Sequence, residues 1–342
     1  MNSPVQISVP GKIIVSGEYA VLNGAFAIVS TIDQKLKVSI KSTNHDHHVY
    51  TTSIVKGRFP FLHDNDSNIH WLASDPGVHG SLVQHTFKAL ELIPEEKLYI
   101  AIDSSEFFIS NKKNKKIKLG IGSSAAVSVG LIKALSRHLK LPLSPEILLE
   151  KSNLAHRMFQ NNLGSGIDVL CSFADQGVIE CTKDSINDFS WTQLNWPKGL
   201  YIKILTTCED AITHQLIGNY YKTQKNFSEE CSPMIQELLS ITSKLSTAWK
   251  SQSINAILDL LVAYDAQLKK IDHLGSIGIY TTTHKNIQRV AEEFNVFYKP
   301  SGAGGGDMGI ALSSSPESLN GFLDQIDRLN WNISCLPSKD DY

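Results

Sequence analysis

Lys118-Leu119-Gly120-Ile121-Gly122-Ser123-Ser124-Ala125-Ala126 lies in mid-chain and opens a helix. Val127, Leu131, Ile132 and Leu135 continue it at helical spacing, which predicts a helix over Ser123 to His138. The two glycines let backbone approach a ligand closely. Free N–H groups and the positive helix end then face one point, an arrangement that suits phosphate. A plain glycine turn capped by serine has the same local pattern. The segment also spells G-x-G-x-x-A, but it does not open the chain's first strand, and the nearest acid, Glu146, starts the next helix. A dinucleotide site needs that acid after a second parallel strand. No G-x-x-x-x-G-K-[ST] occurs, which excludes a P-loop enzyme, and the absence of H-R-D and D-F-G argues against a protein kinase.

Towards the N-terminus, Val5 to Val9, Lys12 to Ser16, Ala25 to Thr31 and Lys35 to Ile40 are apolar or alternating runs that predict an antiparallel sheet, with Pro10-Gly11 as a turn. Residues 43–70 are polar, carry His45, His47, His48, His63 and His70, and predict a long solvated connection rather than a metal site. Towards the C-terminus, Ser144-Pro145-Glu146 starts a helix that should run to about Gln160. A turn at Trp196–Gly199 marks a candidate domain boundary, followed by a strand over Leu200 to Thr206. Helical patterns fill 211–223, 231–250, 253–271 and 281–294, then strand (296–299), glycine loop, strand (309–312), helix (316–329) and strand (331–336). Strands and helices mix without βαβ alternation, so the predicted class is α+β.

Three further segments carry chemistry. Pro300-Ser301-Gly302-Ala303-Gly304-Gly305-Gly306-Asp307 has more glycine than a turn needs, which suits backbone wrapped around a ligand. Gly164-Ser165-Gly166-Ile167-Asp168 sets a carboxylate just after a tight turn, as a site residue or a helix cap. Lys12, inside an apolar strand, either meets an anion or snorkels to water.

The 342 residues suit two compact lobes or one large domain. A net charge of −2 disfavours a dedicated nucleic-acid binder and leaves room for a local positive pocket. No apolar run approaches the roughly 20 residues of a membrane span. Met1 to Pro10 lacks the features of a signal peptide, and Cys171, Cys181, Cys208, Cys231 and Cys335 are odd in number with no C-x-x-C. Reduced thiols in a cytoplasmic protein are the expectation, with no membrane partner.

Taken in order, the segments at 10–24, 118–132, 164–168 and 298–312 resemble the GHMP kinase superfamily. The resemblance implies a two-lobed α+β fold: an ATP-binding lobe over 1–195, similar to ribosomal S5 domain 2, and a ferredoxin-like lobe over 196–342. It implies ATP and Mg²⁺ as cofactors. Gly17-Glu18-Tyr19, Lys118, Ala155-His156-Arg157 and Lys299 to Asp307 are most similar to the phosphomevalonate kinase branch. Mevalonate kinases place a Mg²⁺-binding glutamate where His156 stands, and Phe173 to Gly177 departs from the family pattern.

The roles that follow are implied by the resemblance. Lys12 and Asp168 would be catalytic. Lys118, Gly120, Gly122, Ser123, Ser124 and Ala125 would hold ATP, with Ser124 also on Mg²⁺. Lys12, Tyr19, Ser165, Gly166, Ser301, Gly302, Ala303 and Gly304 would meet phosphomevalonate. The protein would be a monomer or homodimer. A mevalonate kinase, another small-molecule kinase of this fold, a non-catalytic binding protein and a nicotinamide oxidoreductase remain as alternatives. The basic run 112–116 would be a solvated hairpin end or a steering rim.

Overall fold

The computed structural model describes residues 3–110, 116–183, 189–331 and 333–336. Strands β1 (Val5–Ser16), β2 (Ala27–Ser42), β3 (His48–Thr52), β4 (Phe59–His63) and β5 (Ile69–Trp71) come first. Helix α1 (Val78–Leu90), strand β6 (Leu98–Asp103) and the antiparallel pair β7 (Phe108–Ser110) and β8 (Lys116–Lys118) follow. Helices α2 (Ser123–His138), α3 (Pro145–Phe159) and α4 (Ile167–Ala174) lead to β9 (Val178–Lys183) and β10 (Phe189–Leu194). These strands, apart from β7 and β8, form one sheet in the order β10-β9-β2-β6-β3-β4-β5, with β1 paired on β2.

The predicted turn at Pro10-Gly11 is not a turn. Val5 to Ser16 is a single strand whose register jumps between Pro10, opposite Lys35, and Lys12, opposite Thr31. Proline has no N–H to give the ladder, so the pair makes a bulge instead. The bulge swings Lys12 towards the loop before α2, where its N–H donates to the Ile121 carbonyl at 2.9 Å. The two runs at 25–31 and 35–40 likewise form one strand, β2.

The segment 43–70 is not a solvated connection either. It supplies β3, β4 and β5, because Val49, Tyr50, Phe59 and Phe61 hide an apolar face among polar neighbours. His48 is buried and stacked on Phe61, and its Nδ1 accepts the Leu98 N–H at 3.1 Å. His63 packs on Phe87 with neither ring nitrogen hydrogen-bonded. Among the described residues no group of three His, Cys, Asp or Glu is placed to hold a metal.

Burial depresses the basicity of three histidines: His48 to about 3, His63 to about 4 and His284 to about 4. The unfolded chain binds these protons near pH 6.5, so folding loses stability as the pH falls below that value. Thermal melts should therefore drop by several degrees between pH 7 and pH 5. His63→Phe should remove part of that drop; an unchanged pH dependence would contradict the assignment.

The second sheet contains β11 (Tyr201–Thr206), β12 (Phe297–Pro300), β13 (Met308–Ser313) and β14 (Ser334–Cys335). Their order, β12-β13-β11-β14, with all pairs antiparallel, is the ferredoxin-like arrangement. Helices α5 (Thr213–Asn226), α6 (Ser228–Lys250), α7 (Ile254–Gly275) and α8 (Thr282–Glu293) lie between β11 and β12, and α9 (Pro316–Arg328) follows β13. The strand expected over 331–336 shrinks to the two residues of β14. The lysines of the 112–116 run lie outside the described residues except Lys116, which is exposed.

Helix α2 packs on β1 and β2 of the first sheet and on α3 and α4, with Ala125, Val129 and Leu135 buried in the core. Gly130 is required there, since a Cβ would sit 2.6 Å from Val38 Cγ2. One buried apolar cluster joins Val9, Leu36 and Val129 to Trp249, Ile257 and Met308, so residues on both sides of position 195 share a core. No helix among the described residues is long and apolar enough to cross a membrane.

Candidate active site

A single pocket is lined by Lys12, Tyr19, Lys118, Gly120, Gly122, Ser123, Ser124, Ser165, Asp168, Ser301, Gly302, Ala303 and Gly304. Thirteen of the fifteen residues singled out in the sequence thus meet in one place. The other two stand behind it. Ala125 is buried in α2, and Gly166 caps α4 with φ 85°, where a Cβ would strike Phe189 Cζ at 2.8 Å.

The floor is the start of α2. Gly122 occupies the N-cap with φ 82° and offers no side chain to the first-turn N–H groups. Those donors and the helix dipole remain directed at the pocket. A Cβ on Gly122 would lie 2.9 Å from Lys12 Cε, so the glycine also makes room for the lysine stem. Lys12 is 9% exposed, and no carboxylate lies in ion-pair range of its ammonium among the described residues. Such a cation in a cleft invites an anion from outside.

Asp168 stands in the first turn of α4, where its Oδ1 accepts the Val169 N–H at 3.0 Å. His156 from α3 comes between α2 and α4. Its Nε2 is 3.0 Å from Ser124 Oγ and 3.7 Å from Asp168 Oδ2. The same nitrogen faces both oxygens. A serine-hydrolase relay needs the acid on the opposite ring nitrogen, so this trio is not one. Burial, followed by the charge of Lys12, opposes protonation of His156, while Asp168 favours it; burial prevails and the ring is held neutral.

The donor set also answers whether magnesium fits. Ser124 and Asp168 are hard oxygen donors, and Mg²⁺ normally adds substrate phosphates and water to one or two protein oxygens. The residues therefore fit a nucleotide-borne Mg²⁺ rather than a cage made by protein alone.

The glycine loop is tied down at several points. Ser301 Oγ donates to the Ile14 carbonyl and accepts the Ile14 N–H, both at 3.0 Å. Tyr19 donates its hydroxyl to the Ala303 carbonyl at 2.6 Å. Both hydroxyls are thus committed to backbone, and Tyr19 offers the pocket its ring. Asp307 fits against Gly120, where a Cβ would fall 2.5 Å from that of Asp307. Burial pushes the Asp307 carboxyl up, against the pull of Lys118. His284 Nε2 donates to the Gly306 carbonyl at 3.0 Å, and its Nδ1 accepts from the Tyr298 hydroxyl at 3.0 Å.

Sequence reasoning missed one feature beneath the loop. Glu18 and Lys299, at the inner edges of the first and last segments, form a buried ion pair. Both positions stand inside the quoted segments, but nothing local says that they meet. Thr213 and Ile217 on α5 also line the pocket, together with Val21 and Leu22.

Comparison with known proteins gives similarity in sequence and in fold. Residues 82–176 match the family described as GHMP kinases N terminal domain. The chain is 26% identical over 336 residues to a phosphomevalonate kinase of Streptomyces sp. (strain CL190), covering 90% of each chain. It is 27% identical over 328 residues to a mevalonate kinase of Thermococcus sibiricus, covering 92% of this chain and 90% of the other. Its fold matches Streptococcus pneumoniae phosphomevalonate kinase in complex with phosphomevalonate and AMPPNP, with a TM-score of 0.77, 19% identity and 98% and 99% coverage.

Proposed function

We propose that this chain is an ATP-dependent phosphotransferase of the GHMP kinase type, as its matches suggest, and that its acceptor is the phosphate of (R)-5-phosphomevalonate, giving the diphosphate and ADP in the mevalonate pathway. The carrying observation is Lys12, a cation with no ion-pair partner among the described residues, set over the open N-terminus of α2. Two anions must meet in this reaction, and a fixed positive charge between them is what the chemistry needs. Val21, Leu22 and Ile217 supply an apolar wall for a short branched carbon chain.

In this scheme the first turn of α2 holds the ATP phosphates, and the Gly302–Gly306 loop covers them. An acceptor phosphate oxygen attacks the γ-phosphorus in line as the bond to the β-phosphate oxygen breaks. Lys12 offsets the charge that gathers between them. Ser124 and Asp168, together with nucleotide phosphates, would hold magnesium, which would supply further charge neutralisation. A phosphate monoester has a second pKa near 6 and is mostly deprotonated at pH 7. Asp168, which lies outside ion-pair range of Lys12, would therefore serve to hold the metal and set the local field rather than to remove a proton.

Mevalonate is the second acceptor to weigh, because a carboxylate placed like Asp168 suits deprotonation of an alcohol. ADP release with Mg·ATP decides between the two on one preparation. At least tenfold higher kcat/KM with (R)-5-phosphomevalonate is expected; a preference for (R)-mevalonate would make Asp168 a base, and silence with both would remove the proposal.

A further inference from the structure

Asp272 stands in the last turn of α7, where the helix end disfavours negative charge. No cation is in ion-pair range of it among the described residues. Its carboxylate is committed to backbone. Oδ1 accepts the Gly278 and Ile279 N–H groups at 2.8 and 2.9 Å, and Oδ2 accepts the Tyr280 N–H at 3.3 Å. One side chain therefore fixes three consecutive amides of the turn that joins α7 to α8. Ile277, Ile279 and Tyr280 hold the same turn from within, buried in the apolar cluster that contains Tyr19 and Leu216.

The middle of the glycine loop rests on this turn. The Ile279 carbonyl accepts the Gly305 N–H at 2.9 Å. Gly304, which lines the cleft, has φ 74°, and a Cβ on it would fall 2.5 Å from the Ile279 oxygen. A Cβ on Gly305 would fall 2.7 Å from Leu216 Cδ1 on α5. The loop is thus seated against backbone on one side and a buried leucine on the other, which leaves little room for a shifted turn. Ser301 and Tyr19 tie its first half to β1 and the segment after it, and His284 holds Gly306. The turn sets the part between.

We propose that Asp272 is a positioning residue for phosphoryl transfer: by fixing the 278–280 amides it sets where Gly304 and Gly305 lie over the phosphates. It touches no reacting atom and acts through Ile279. This rests on the reading above that the glycine loop covers the ATP phosphates, and not on which acid is the acceptor. An ionised acceptor strengthens each of these hydrogen bonds, and two oxygens directed at three donors specify shape as well as charge. A displacement of about 1 Å in a positioning element can cost about a hundredfold in rate.

Asp272→Ala, Asp272→Asn and Asp272→Glu are made in the full chain. Calorimetry follows Mg·AMPPNP binding, and ADP release is assayed with (R)-5-phosphomevalonate. Asp272→Ala should raise the Kd for Mg·AMPPNP and the KM for ATP about tenfold, and lower kcat about tenfold. Values within about twofold of wild type overturn the proposal. Asp272→Asn keeps the length and a carbonyl acceptor and should stay within about threefold of wild type. Asp272→Glu keeps the charge but is one methylene longer, so it should lose more than the asparagine variant. A charge acting through space reverses that order, and glutamate outdoing asparagine overturns the proposal even where Asp272→Ala fails to fold. Leu319→Ala, in the separate cluster under α9, should lower the melting temperature at least as far with the KM for ATP within about twofold. An equal rise in KM there would make the Asp272 effect one of general stability and overturn its positioning role.

Amide exchange at the Gly305 N–H in the nucleotide-free protein gives a readout apart from binding and activity. It should quicken about tenfold or more in Asp272→Ala. Quickened exchange in a protein whose wild type binds no Mg·AMPPNP would remove the phosphate reading and leave Asp272 as the residue that places the loop. Unchanged exchange beside normal Mg·AMPPNP binding overturns the proposal itself.

Discussion

Lys299→Met is expected to destabilise the protein by about 3–5 kcal/mol, the cost of leaving a buried charge without its partner. Lys299 is 0% exposed and Glu18 3%, so water cannot replace the lost contact. The ammonium also donates to the Pro300 carbonyl at 3.0 Å, and the Tyr264 hydroxyl donates to the Glu18 carbonyl at 2.6 Å. The pair therefore joins the end of β12 to the turn after β1, the two segments that bring Ser301 and Tyr19 to the cleft.

Burial already raises the pKa of Glu18, and Lys299 is the main force that opposes the rise. Without it the carboxyl stays protonated in the fold to higher pH than in the unfolded chain. The variant's folded state then binds the extra proton, so its stability falls as pH rises and recovers in acid. Urea unfolding should thus show a larger deficit against wild type at pH 8 than at pH 5. Glu18→Leu/Lys299→Met should regain much of the loss, because a buried pair replaced whole leaves no charge behind. A single-variant deficit below about 1 kcal/mol at pH 8 would place the pair among the weak surface bridges.

What was legible in the sequence was what local pattern can carry. Ser123 to His138 has helical spacing with an uncapped glycine start, and the helix has those bounds. The strand–loop–strand–helix run after residue 296 appears as β12, β13 and α9 because each apolar run is short and bounded by turn residues. Pro10-Gly11 misled because the same dipeptide serves a turn or a bulge, and only the partner strand decides between them. Residues 43–70 misled because the buried face of β3 and β4 is narrow and diluted by histidine. The Ser301 clamp on Ile14 and the pairing of Glu18 with Lys299 each link residues more than 280 positions apart. No periodicity encodes such contacts. His156 was visible as a departure from the related enzymes, yet its place between Ser124 and Asp168 is set by how α2, α3 and α4 pack.

Lys12→Met should lower kcat by about a thousandfold or more while shifting the KM for ATP less than about threefold. The expectation follows from where the charge is needed. On the proposed reading, the first turn of α2 and the glycine loop line the pocket and hold the nucleotide phosphates without Lys12, so ground-state affinity has other sources. The approach of a second anion does not. Two unit charges 4 Å apart interact by about 4 kcal/mol in a surface-like medium, and a closed cleft screens less. Removing the Lys12 charge over Gly122 leaves that repulsion in the transition state. Lys12→Arg should recover only part, because the stem runs over Gly122 at contact distance and a guanidinium is broader than an ammonium. Asp168→Asn, by contrast, should cost only about tenfold with the pH profile unchanged, since it keeps the shape and an oxygen donor and loses only the negative charge. Steady-state kinetics on the three variants separate the roles. A Lys12→Met enzyme within tenfold of wild type would mean that the helix and the metal suffice. An Asp168→Asn enzyme that fell as far as Lys12→Met, with its acid limb gone, would return Asp168 to the role of a base.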